Sequence, residues 1–206
     1  MVTSAYRRGA LPPRGYGKLF DWTPVRLWGG PVVDVETDAG WMALPIRDHG
    51  ARLYLVFGRL LNEEHETSLM RRLAPRLRNV IDIGANVGWY SCILASHGFP
   101  TDARILAAEP NPRMLPYLRE NADRHIAINV VAEALGDHVG ESTFFAATSS
   151  DLSSSARQVG EPVIVPANTV DALAQTHFDA PVDLIKWLLG LVPPAGAARL
   201  NFASRS

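Results

Sequence analysis

The sequence predicts an α/β fold built on an open parallel sheet, with a small β-rich unit ahead of it. Three observations predict this. Val80-Ile81-Asp82-Ile83 is an apolar run broken by one acid; it passes through Gly84-Ala85-Asn86-Val87-Gly88 into a new apolar segment at Trp89-Tyr90. That pattern reads as a buried strand, a tight loop and the start of a helix. Arg104 to Ala108 repeats the strand signal and ends on Glu109, 21 residues beyond Gly88. From 79 to 134 strand and helix patterns alternate, which requires parallel strands joined by right-handed crossovers.

The elements follow in order. Segments 32–36 and 41–46 flank Thr37-Asp38-Ala39-Gly40 and read as a hairpin with a glycine turn. Segment 53–57 reads as a third short strand, and this unit is expected to pack on one edge of the main sheet. Asn62 is a helix cap. Glu63, Glu64 and Glu66 fill the first turn and Arg71 and Arg72 the last, as the helix dipole favours. Pro75 stops the helix. The main unit then runs as strand 79–83, helix 89–97, strand 104–108, helix 113–122 and strand 128–134. Beyond it come a short edge strand over 142–147, a serine-rich loop over 148–155 and an extended piece over 162–167. A helix over 169–176 and a parallel strand over 182–186 follow. The expected organisation is a flexible tail over 1–30, a β-rich extension and helix over 31–75, a ligand-binding domain over 76–186 and an atypical tail over 187–206.

Composition narrows the function classes. A chain of 206 residues suits one domain, and 47% apolar with 20% charged residues describes an ordinary soluble globular protein. A net charge of −1 gives no general attraction for nucleic acid or anionic membrane, so neither is expected as a partner. The single cysteine, Cys92, excludes an internal disulfide and a multi-cysteine metal site, and it reads as core packing. The histidines are scattered without metal-ligand spacing, and no metal is expected. The basic start with Arg7, Arg8, Arg14 and Lys18 lacks the apolar core of a secretory signal. Segment 184–192 is apolar, but Lys186 interrupts it and it falls far short of the ~20 residues of a membrane span. The expected location is cytoplasmic.

The glycine loop carries the chemistry. At the carboxyl end of a first parallel strand such a loop binds nucleotides, because residues without Cβ let a ligand lie on the backbone. Glu109, at the tip of the second strand, stands where an acid accepts from both hydroxyls of a ribose. The dinucleotide fingerprint needs a third glycine where Trp89 stands, and Trp89 is expected to crowd a pyrophosphate at the helix N-terminus. Asp82 repels a pyrophosphate but accepts an ammonium. No Gly-Lys-Ser or Gly-Lys-Thr occurs, which excludes a phosphate-binding P-loop. A ligand with a free ribose, no phosphate and a cationic amino-acid end fits: S-adenosylmethionine. The cofactor-binding candidates are Asp82, Gly84, Asn86, Gly88, Glu109 and Asp137. Asp82 either caps the following helix or reaches the methionyl amine indirectly. Asn86 either holds the loop or touches the ligand. Asp137 is either a turn acid or an acceptor for the adenine amine. Asn121 reads as a helix cap or end, and His138 is the one histidine near enough to be weighed as a base.

The stretches Asp82-Ile83-Gly84-Ala85-Asn86-Val87-Gly88, Glu109-Pro110-Asn111, Asn121 and Ala134-Leu135-Gly136-Asp137 closely resemble the FkbM-type S-adenosylmethionine-dependent methyltransferases. The resemblance covers roughly residues 50–186. It implies a Rossmann-like class I methyltransferase sheet. It also implies O-methylation of natural products or sugar-containing polymers, hence a small-molecule or glycan acceptor.

Val182-Asp183-Leu184-Ile185-Lys186 resembles the family's fourth strand, which normally continues Ile-Asp-Val-Glu-Gly. Here Trp187-Leu188-Leu189-Gly190 follows, and no acid occurs from Trp187 to Ser206. This reads as a shifted reading frame of a GC-rich gene or as a variant terminus. The sheet is therefore expected to be C-terminally incomplete, with self-association through its exposed edge and no identifiable catalytic residue. Two alternatives stand beside the methyltransferase: a non-catalytic remnant that only binds the cofactor, and an NAD-linked oxidoreductase.

Overall fold

A computed structural model describes residues 32–45, 64–146 and 160–187. The expected strand at 53–57, the cap at Asn62, the serine-rich loop and the segments 1–30 and 188–206 lie outside these residues.

Strand β1 (Val32–Thr37) and strand β2 (Gly40–Pro45) form an antiparallel hairpin. The Thr37 hydroxyl closes its turn, donating to the Gly40 carbonyl at 2.8 Å and accepting from the Ala39 amide at 3.0 Å. Helix α1 (Glu64–Leu73) follows, acidic in its first turn and basic in its last, and a single 3-10 turn at Ala74–Arg76 ends it at Pro75. The central unit is β3 (Asn79–Ile83), α2 (Trp89–Ser96), β4 (Arg104–Ala108), α3 (Leu115–Ala122) and β5 (Ile128–Val131). After three further strands and helix α4 (Val170–His177), strand β9 (Leu184–Trp187) returns to the sheet.

The main sheet has the order β5-β4-β3-β9, and every pairing is parallel. This is the Rossmann-like arrangement. The chain runs outward from β3 through β4 to β5, then crosses back to lay β9 on the other side of β3. The order thus reverses between β3 and β9, and open α/β sheets bind ligands in the crevice beyond such a point.

Side-chain alternation builds two layers of core. Val80, Ile105, Ala107 and Ile128 face α1, α2, α3 and the hairpin. Ile81, Ile83 and Leu106 face Leu173 and Phe178 on the opposite side. Strands β6 (Ala134–Gly136), β7 (Gly140–Ala146) and β8 (Glu161–Thr169) form a separate sheet in the order β6-β8-β7, with its own small core of Ala134, Phe144, Ala146 and Val165.

Three expectations need correction. The single strand expected over 128–134 is two strands in two sheets, β5 and β6, because the chain leaves the main sheet after Val131. The short edge strand expected near 142–147 is β7, and it borders the second sheet. The hairpin sits against α2 and α3 on a helical face, not on a sheet edge. Its Ala39, Met42 and Leu44 are fully buried in the core of the main unit.

Asn121 explains the hairpin's position. It lies fully buried in α3. Its Oδ1 accepts from the Ala43 amide at 2.6 Å, and its Nδ2 donates to the carbonyls of Ala43 at 3.0 Å and Val87 at 2.8 Å. One side chain therefore joins the hairpin, α3 and the glycine loop, where the sequence reading assigned it to its own helix end. Replacing Asn121 by Ala orphans three buried backbone groups. Each unmet buried group costs ~1–3 kcal/mol, so urea unfolding is expected to show a loss of about 2–4 kcal/mol, allowing for relaxation. An unchanged midpoint would contradict the bridging role.

Candidate functional site

The loop between β3 and α2 is fixed by its neighbours on β4. The amides of Gly84 and Ala85 both donate to the Ala108 carbonyl, at 2.9 and 3.0 Å. The Gly88 amide then turns back to the Ala85 carbonyl at 2.8 Å. Three loop residues adopt left-handed backbone: Gly84 at φ 68°, Asn86 at φ 55° and Gly88 at φ 88°. Asparagine tolerates this region better than most residues with a Cβ, which accounts for its place between the glycines. Gly88 has a second reason to be glycine. A Cβ there would stand 2.9 Å from Leu118 Cδ1, so α3 occupies the space from the core side.

Glu109 closes the loop. It follows β4, and its amide continues the ladder to the Val131 carbonyl at 3.0 Å. One carboxylate oxygen accepts from the Asn86 amide at 2.7 Å and the other from the Asn111 amide at 2.8 Å. Burial pushes its pKa up to about 7, against the lowering effect of the two backbone donors and the Lys186 ammonium. Each oxygen retains a lone pair after these bonds. The two hydroxyls of a ribose are two donors, so the carboxylate fits such a group without giving up its hold on the loop.

Asp82 forms a buried ion pair that the sequence expectation did not include. It does not cap α2, and it has a cation of the chain itself as its partner. Its side chain is 1% exposed, and the Lys186 ammonium lies 3.0 Å from Oδ1. Oδ2 accepts from the Ser91 hydroxyl at 2.8 Å. Asp82 and Lys186 are register partners on β3 and β9, so their side chains leave the same face across the switch point. The ammonium also lies 4.7 Å from the centroid of the Tyr90 ring. Sequence reasoning missed this pair, although its signal was present: a lysine inside an apolar strand needs a buried acid, and Asp82 is the acid inside the neighbouring strand.

Trp89 is also reassigned. Its indole is buried in the core, and Nε1–H donates to the Thr67 hydroxyl on α1 at 3.2 Å. It is a strut between helices, where the sequence suggested an obstruction of the loop. Cys92 is buried and burial pushes its thiol up to about 12, in keeping with core packing.

The structure gathers Asp82, Gly84, Asn86, Gly88 and Glu109 at the carboxyl ends of β3 and β4. Asp137 lies apart from them in topology: it follows β6 of the second sheet, not the third strand of the first. It is half exposed and pairs with His138 Nδ1 at 2.9 Å, while the other ring nitrogen meets the Glu141 carbonyl at 3.1 Å. The pairing lowers the Asp137 pKa and raises that of His138. Among the described residues no three metal-binding side chains cluster, and no helix is long and apolar enough to cross a membrane.

The parallel Rossmann-like sheet brings its glycine loop and two buried acids to the switch point, where open α/β sheets bind ligands. The Methyltransferase FkbM domain matches residues 82–187, just over half of the chain, and the chain belongs to this family. The match begins at Asp82, later than the stretch from about residue 50 that the sequence resemblance spanned. Solved structures with similar chains include a SAM-dependent methyltransferase from Agrobacterium tumefaciens (TM-score 0.38, 11% identity, 51% of this chain and 33% of that one). TYW2 of P. horikoshii, in complex with MeSAdo, is similar at TM-score 0.40 and 17% identity over 55% of this chain and 46% of that one. TYW2 of M. jannaschii, in complex with AdoMet, is similar at TM-score 0.40 and 16% identity over 55% and 54%. The chain thus spans from about a third to just over half of these structures. Comparison with curated proteins finds no match.

The raised pKa of Glu109 has a consequence for stability. Between its ordinary value of 4.5 and about 7 the folded state holds a proton that the unfolded state has lost. Stability from this group is therefore complete below 4.5 and declines as pH rises through 7. At about 1.4 kcal/mol per pH unit the span is worth roughly 3 kcal/mol. Denaturation of wild type and Glu109→Gln from pH 4 to 8 is expected to show the wild type losing stability relative to the variant as pH rises. Parallel curves would remove the argument.

Proposed function

We propose that this chain is an S-adenosylmethionine-dependent methyltransferase acting on a hydroxyl of a natural product or a glycan. The observation that carries the reading is Glu109. A buried carboxylate clamps the glycine loop through Asn86 and keeps one lone pair on each oxygen for a diol. Family membership supports methyl transfer as the reaction class.

When bound, the cofactor supplies a methyl group on an already activated sulfonium. The chain's work is then orientation. Glu109 holds the ribose and fixes the loop. Gly84, Asn86 and Gly88 shape the loop under it, and the Asp82–Lys186 pair sets the charge at its other end. Asp137 as the adenine partner belongs to this reading too, on its place after Gly136. A cytoplasmic location and the absence of a nucleic-acid partner accompany it. Self-association is part of the same proposal, because the outer edge of β9 meets no strand among the described residues. Binding without turnover is the second reading. The lack of any acid from Trp187 to Ser206 favours it, since the fourth strand of the family that the sequence resembles continues Ile-Asp-Val-Glu-Gly at that point.

S-adenosylmethionine or S-adenosylhomocysteine is expected to raise the melting temperature, as any ligand selective for the native state must, and NAD to leave it unchanged. Stabilisation by NAD alone would reverse the assignment. A radiolabelled methyl assay on candidate acceptors separates the two readings.

Glu109→Ala removes the proposed ribose acceptor. Hydrogen bonds to a charged group are worth ~1.5–3 kcal/mol, so titration calorimetry is expected to show affinity reduced roughly tenfold or more. Unchanged affinity would leave Glu109 as a loop clamp alone.

A further inference from the structure

The charge at the switch point has a direction that the sequence does not show. Asp82 and Lys186 form a pair of zero net charge, but its two members are not equally placed. The carboxylate side chain is 1% exposed and the ammonium side chain 10%. Asp82 accepts from Ser91 on its other oxygen, while the ammonium is the more exposed partner and has the Tyr90 ring on one flank. Lys186 also acts electrostatically on Glu109, so it sits within range of the proposed ribose clamp. An ammonium has three donors. The Asp82 oxygen and the Tyr90 ring take two directions, and the third has no protein partner among the described residues. At the switch point the more exposed charge of the pair is therefore positive, has a spare donor and is compensated by a buried acid.

We infer that Lys186 is a positioning residue for the cofactor's amino-acid end, offering its free N–H to the α-carboxylate. The inference rests on the cofactor reading above and refines it. From the sequence, Asp82 is expected to reach the ammonium of that end indirectly, or to cap the helix. The structure gives that acid a cation of the chain's own as partner, so the feature recognised here is the anionic half of the amino acid. Asp82 then acts through Lys186: it compensates the buried charge and holds the ammonium in place. A lysine suits this role because the ammonium meets a carboxylate as a point charge, without the planar fork of arginine.

The test compares two ligands that share adenosine and a thioether. S-adenosylhomocysteine carries the amino-acid end; 5′-methylthioadenosine lacks it. Lys186→Met strands a buried acid and can cost folding stability, so the double variant Lys186→Met/Asp82→Asn is made alongside it to neutralise both partners. Calorimetry on wild type and both variants is expected to show S-adenosylhomocysteine binding weakened roughly tenfold or more in each variant, the size of a lost charge-assisted hydrogen bond. Binding of 5′-methylthioadenosine is expected to stay within about twofold, below half a kcal/mol. Equal weakening of both ligands, or recovery of S-adenosylhomocysteine binding in the double variant, would show that the pair only supports the fold. Failure of wild type to bind either ligand would overturn the cofactor reading, and this inference with it.

Discussion

Much of this structure hangs on the buried carboxylate of Glu109. It accepts from the Asn86 amide in the glycine loop and from the Asn111 amide in its own turn, and so joins the ends of two parallel strands. Both loops carry amides that need an acceptor once water is excluded. The acid meets that need at the expense of burying a charge, and its raised pKa records the cost. A group held in this state answers readily to a new donor. Hydroxyls arriving at its remaining lone pairs would favour the ionised form that burial disfavours.

The main sheet was legible because its signals are local. Apolar runs of five residues, a lean loop and alternation between strand and helix fix β3, α2 and β4 almost to the residue. Loop residues were legible for the same reason: left-handed backbone selects glycine and asparagine at particular positions. What sequence reasoning missed was pairing at a distance. The partner of Asp82 lies about a hundred residues away on β9, and a strand's neighbour cannot be read from its own composition. The displaced Asp137 has a similar cause. The break after Val131 is marked by nothing stronger than Ala132 and Glu133, so one extended run concealed two sheets.

The two charged strand residues show how a sheet accommodates ions in its interior. Their neighbours Ile81, Ile83 and Ile185 point to the other face and join its apolar core. Asp82 and Lys186 share one register level, so each finds its counter-ion with little rearrangement and Ser91 takes up the remaining oxygen. Removing either partner alone would leave a charge in a poorly solvated place. The pair is thus a constraint on both strands at that register level.

The bonds made by Asn121 bear on where this protein can be divided. The family match starts at Asp82, yet Ala39, Met42 and Leu44 share one core with Val80 and Ile105. The hairpin is moored by its main chain to the helix that also buttresses the ligand loop. A fragment trimmed to the matched boundary would lose β1, β2, α1 and most of β3, and would open an apolar wound across α2 and α3. The homologous segment and the cooperative folding unit are different objects here, and the ligand loop belongs to both.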